Sequence, residues 1–155
     1  PDTLQNFYNL ILDHQNKKWF VTNRAKQSGD SLTKFPKSDT SYSYAWQYLI
    51  FKQCSGTTTN CIETKLLLKN KISFLQRIKN GEDWFFYFQV GLHEKMYYSD
   101  HNSTISIKKI FTKKTKQEFF LLLTELIRES FQKKLYKYPS YFIYCTLHLT
   151  WSLTK

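Results

Sequence analysis

Glycine and proline are scarce in this chain, with four and three residues among 155. So few glycines, scattered as they are, form no Gly-x-Gly-x-x-Gly or Walker-type phosphate cradle. The shortage of both also argues against Pro/Gly-rich linkers and long low-complexity stretches, so a single domain over residues 1–155 is expected. Apolar runs stay well short of the roughly 18 residues that span a bilayer as a helix, so no transmembrane segment is expected. The cysteine count is three, an odd number that excludes a fully paired disulfide scaffold. Cys54 and Cys61 bracket Ser-Gly-Thr-Thr-Thr-Asn, and their spacing suits a Cys54–Cys61 bridge across a hairpin base in an oxidising compartment. Location stays open between cytoplasmic and secreted. His-Glu-x-x-His, Cys-x-x-Cys, EF-hand and Gly-x-Ser-x-Gly patterns are all missing. The only local cluster of metal-ligating residue types is His93, Glu94, Asp100 and His101. No metal and no cofactor are expected.

Acidic residues are also few. Twelve Asp and Glu face 23 Lys and Arg, for a formal charge of +11. Both halves of the chain are basic, so the charge belongs to the body and not to a tail. Such a field favours nucleic acid, acidic headgroups or an acidic protein partner. Lys108, Lys109, Lys113, Lys114 and Lys116 run toward the C-terminal third without an acid between them. Lys65, Lys69, Lys71 and Arg77 form a second group. Aromatic residues make up 18% of the chain, enough to supply base-stacking platforms beside the lysines. Tyr97, Tyr98, Tyr136 and Tyr138 are the candidates. The leading expectation is a non-enzymatic binding protein with a basic, aromatic-rich surface, nucleic acid being the first partner to test. The plainer alternative is that the lysines are solvated and the tyrosines close the rim of the core.

Hydrophobic periodicity gives the expected elements. Asp2-Thr3-Leu4-Gln5 reads as a capping box, and Leu4, Phe7, Tyr8 and Ile11 follow at helical spacing, which predicts a helix over 3–16. Residues 19–22 read as a short strand, and 24–41 as a polar loop. Strands are predicted over 42–51, 61–69, 71–78, 84–92 and 104–111. Residues 116–137 read as a long helix with Phe119, Phe120, Leu123, Leu126, Ile127, Phe131 and Leu135 as its stripe. From Tyr141 to Leu153 every odd position is apolar or aromatic, Cys145 included. That alternation predicts a terminal strand of roughly 40 Å, long enough to require bending or coiling.

The expected fold is therefore α+β. A strongly curved antiparallel sheet or partial β-barrel carries a short N-terminal helix and one long C-terminal helix, followed by a final long strand. This element order resembles a lipocalin-like barrel, although Trp19 follows Lys17-Lys18 where that family carries Gly-x-Trp. A curved sheet wrapped on the long helix, as in cystatin-like and nuclear-transport-factor-like folds, fits about as well. The resemblance implies a secreted small-ligand binder as one alternative. Its pocket would be lined by Tyr44, Trp46, Tyr48, Phe86 and Phe88. A small metal-independent ribonuclease toxin is another. It would take His148 and His93 as general acid and base, with nearby cations on the phosphate.

Overall fold

The computed structural model describes residues 3–26, 40–42, 59–77, 82–106, 116–139, 142–143 and 145–146. Helix α1 (Thr3–Asp13) turns Phe7 and Leu10 inward, so of the expected stripe only Phe7 is buried while Leu4, Tyr8 and Ile11 are exposed. Asp2 of the expected capping box lies outside the described residues. Four strands follow from the chain: β1 (Trp19–Lys26), β2 (Thr40–Tyr42), β3 (Asn60–Ile62) and β4 (Met96–Ser106). They form one mixed sheet in the order β2-β4-β1-β3. The central pair, β1 and β4, is parallel, with Phe20 opposite Tyr97 and Val21 opposite Tyr98. The two short outer strands run antiparallel to their neighbours. Register slips between Thr22, Asn23 and Arg24, an irregularity of the kind that increases local twist.

The period of two sorts the side chains of the sheet. Phe20 and Tyr97 pack with Phe7 and Leu10 beneath α1. Trp19, Val21, Met96 and Tyr98 face the other way, into a cluster with Phe86, Tyr87 and Val90. Trp19 is fully buried there. Its ring stacks on Tyr87 at 6.0 Å, and its Nε1–H donates to Asn60 Oδ1 at 2.8 Å, which meets the need of a buried indole for an acceptor.

Three further helices complete the described core. Helix α2 (Thr64–Asn70) ends on Lys71, whose backbone is left-handed. The Ile72 N–H donates to the Leu67 carbonyl and the Lys71 N–H to that of Leu68, the paired bonds of a Schellman motif. Helix α3 (Glu82–Gly91) buries every residue from Phe85 to Val90. Helix α4 (Lys116–Gln132) is followed by a single 3-10 turn, Leu135–Lys137. Leu126 and Leu135 join Leu75, Phe85 and Phe88 in a second cluster on the far side of α3. The layers thus run α1, sheet, α3, α4, with α3 shared by both neighbours. Among the described residues, no helix is long and apolar enough to cross a membrane.

The mixture of helix and sheet agrees with an α+β fold, but the expected architecture needs correction. The sheet is small and open, not a strongly curved antiparallel sheet or a partial barrel, and its central pair is parallel. The predicted strand over 84–92 is helix α3. Both alternating series there are apolar, and a segment buried on all sides carries no period to separate helix from strand. Most of the predicted strand over 61–69 is helix α2, with only its first residues in β3. Residues 71–77 hold no strand. The terminal strand is overturned where it is described: Phe142, Ile143, Cys145 and Thr146 are helical. The Thr146 Oγ1–H closes that turn on the Phe142 carbonyl at 2.9 Å. Residues 147–155 lie outside the described set, as does 43–51 of another predicted strand.

Candidate nucleic-acid interface

The lysine run expected to position phosphates is only partly placed. Lys108, Lys109, Lys113 and Lys114 lie outside the described residues, and Lys116 is described only as the first residue of α4. Tyr97 and Tyr98 are buried, at 5% and 1% exposure, so neither offers a face to a base. Their alternation on β4 sends Tyr97 under α1, where its hydroxyl shares a 2.8 Å hydrogen bond with His14 Nε2, and Tyr98 toward α3. Tyr136 and Tyr138 remain exposed, at 46% and 38%.

The turn that carries them is built by the end of α4. Lys134 adopts φ 53° and ψ 35°, a left-handed conformation that a non-glycine residue enters at a cost of about 1 kcal/mol. It stops the helix with no glycine at that point. Leu135, at the next position, is buried against Phe88 and Leu126 and pins the turn to the core. The Lys137 N–H then donates to the Lys134 carbonyl, and the Tyr138 N–H to that of Leu135. With Leu135 inward, Lys134, Tyr136 and Lys137 are left outward. Phe131, in the last turn of α4, is 72% exposed. Its ring lies 6.2 Å from that of Tyr136 at an interplanar angle of 49°.

Charge at this end of α4 is sorted by burial. Glu125 and Glu129 are buried carboxylates. Arg128 pairs with both, and Lys133 pairs with Glu129 at 3.3 Å. The Lys133 ammonium also donates to Gln89 Oε1 at 2.6 Å. These acids are therefore taken up by Arg128 and Lys133. Among the described residues, neither Lys134 nor Lys137 joins an ion pair. The exposed residues at this end of α4 thus include two lysines that join no ion pair among the described residues and three aromatic rings. Tyr136 and Tyr138 are the exposed rings expected from the sequence, whereas Phe131 falls on the apolar stripe expected to face the core. The i, i+4 spacing of Ile127 and Phe131 carried no sign that their side of the helix faces outward.

His93 sits elsewhere. It lines a cleft of about 350 Å³ with Lys18, Lys65, Lys69, Glu63 and Glu94. Its side chain is exposed, yet the surrounding atoms desolvate it enough to lower its pKa below the ordinary histidine value. Lys18 is paired with Glu63 at 3.8 Å, so carboxylates offset much of this cleft's positive charge. His148 lies outside the described residues. Among the described residues, no group of three His, Cys, Asp or Glu side chains is arranged to hold a metal ion.

The aromatic pocket of the carrier alternative is not assembled by the residues described. Phe86 and Phe88 belong to different clusters on opposite sides of α3, and both are packed. Tyr44, Trp46 and Tyr48 lie outside the described residues. Cys61 is a free thiol whose pKa is raised by burial, and Cys54 is outside the described set. Comparison with known protein families and with curated proteins finds no match.

Proposed function

We propose that this protein is a non-enzymatic nucleic-acid-binding protein. Its basic, aromatic-bearing surface at the end of α4 would make the contact. The observation that carries this reading is that exposed Phe131 in the last turn of α4 is followed within seven residues by exposed Lys134, Tyr136, Lys137 and Tyr138. Cations of this kind hold phosphate oxygens without reading sequence, and planar rings add contacts to bases. The formal charge of +11 supplies the long-range attraction. An acidic protein partner would use the same cations and could also pack on the rings, so a polyanion without bases is the control that separates the two.

The test is fluorescence anisotropy of a labelled RNA oligonucleotide across a salt series. Wild-type affinity is expected to fall steeply with salt. Lys134→Glu with Lys137→Glu is expected to weaken binding at least tenfold and to flatten the salt dependence by about two charges. Unchanged affinity in the double variant would sink this placement. RNA recovered from the titration is expected at full length. Shortened RNA, with cutting lost in His93→Ala, would transfer the reading to a metal-independent nuclease acting at the His93 cleft.

A further inference from the structure

We infer that the end of α4 selects single-stranded over double-stranded nucleic acid, with Phe131 and Tyr136 as its stacking platform. This rests on the nucleic-acid reading above and goes beyond it by naming the form of the polymer. Phe131 projects from the last turn of α4 with 72% of its surface exposed, more than burial-driven folding leaves on a ring that helps to hold the fold. Tyr136 stands 6.2 Å away, and the 49° tilt between the rings keeps them from covering each other's faces. The two rings are thus not stacked on each other, and both keep exposed surface, 72% for Phe131 and 46% for Tyr136. Their placement is fixed from below, by the burial of Leu135 and by the left-handed backbone of Lys134.

Stacking on such a ring requires a base whose own face is open. In a duplex both faces of every internal base are covered by its neighbours, and only edges and phosphates are presented. The lysines alone would hold a duplex or a single strand alike, because both present phosphates. The rings gain contact only with unstacked bases. Aromatic rings also serve protein–protein contacts, so the polyglutamate arm of the experiment carries that distinction. Here Lys134 and Lys137 flank Tyr136 on the turn that follows Phe131 and carry charge that complements a polyanion of bases and phosphates.

The experiment compares a labelled single-stranded oligonucleotide with its own duplex and with polyglutamate, at one low salt concentration. Wild-type protein, Phe131→Ala, Tyr136→Ala and Phe131→Trp are titrated in parallel. The single strand is expected to bind at least tenfold tighter than the duplex. Phe131→Ala and Tyr136→Ala should each weaken single-strand binding by about tenfold and leave duplex binding unchanged. Phe131→Trp should retain the preference. Because Phe131 is so exposed, its truncation should leave the urea midpoint in place, which separates a binding defect from a folding one. Equal affinity for strand and duplex, unaltered by either truncation, would overturn the single-strand inference and leave the broader nucleic-acid reading standing. Binding to polyglutamate as tight as to the single strand would overturn both, as would no binding to either nucleic acid.

Discussion

Lys71 and Lys134 share one backbone anomaly, a φ of 53°, and each ends a helix where glycine would be cheaper. At Lys71 the Schellman bonds are complete, so the position demands the left-handed region whatever residue fills it. Lys71→Gly is therefore expected to raise stability by roughly 0.5–1 kcal/mol, read as a higher urea midpoint with an unchanged slope. A lower midpoint would mean that the lysine side chain contributes more than its backbone costs. His93 supplies a pH-dependent effect. Its cleft lowers its pKa, so the unfolded chain binds the proton more readily than the folded one. The associated stability is present above the unfolded value near 6.5 and is lost as pH falls through the folded value. Between pH 7.5 and 5.5 the wild type is expected to lose slightly more stability than His93→Gln. Equal losses would show that the ring is not desolvated in solution. No sequence pattern announced either effect, since both depend on which neighbours crowd a residue that reads as an ordinary surface position.

Among the elements, α1 was legible from the helical spacing of its apolar residues, and the first strand from the short aromatic and β-branched run Trp19-Phe20-Val21-Thr22. The expected helix over 3–16 appears as Thr3–Asp13, and Trp19 to Thr22 lie within β1. The helix expected over 116–137 is present as Lys116–Gln132, and its last residues form a separate 3-10 turn after the left-handed Lys134. Helix α3 was the instructive failure. Phe85, Phe86, Tyr87, Phe88 and Val90 are all buried, so the pattern registers only depth. The missed signal was Glu82-Asp83, two acids in the first turn where the helix dipole favours them. Gln89 is the polar residue that joins α3 to its surroundings. Its Nε2–H donates to the Ser73 carbonyl at 3.2 Å, and its Oε1 accepts from Lys133 of the α4 terminus. Gln89→Leu is expected to cost about 1–3 kcal/mol by urea denaturation, because both partners lose a bond in a largely buried place. A cost under about 0.5 kcal/mol would mean that α3 and α4 are held by packing alone.

For the molecule as a whole, the decisive feature is that α3 contributes to two cores. Phe86 and Val90 face the sheet, and Phe85 and Phe88 face α4. Such sharing should make the layers melt together. Tryptophan fluorescence, to which buried Trp19 contributes, and far-UV circular dichroism are expected to give coincident urea transitions. Separate midpoints would show that the sheet and the α4 layer are independent units. The amino-acid sequence by itself determined the surplus of lysine, the richness in aromatics, and the existence of amphipathic helices starting at residues 3 and 116, though not where they end. These are properties of composition and short-range period, which survive without knowledge of neighbours. Only the tertiary structure decided that β1 pairs in parallel with β4, across about seventy residues of chain, since pairing partners that distant leave no local period. It alone turned Tyr97 and Tyr98 inward, because each side of the sheet is covered by a helix. It also turned Phe131 outward beside Lys134 and Lys137, because Leu126, Leu135 and the buried acids had already claimed the inner side of α4.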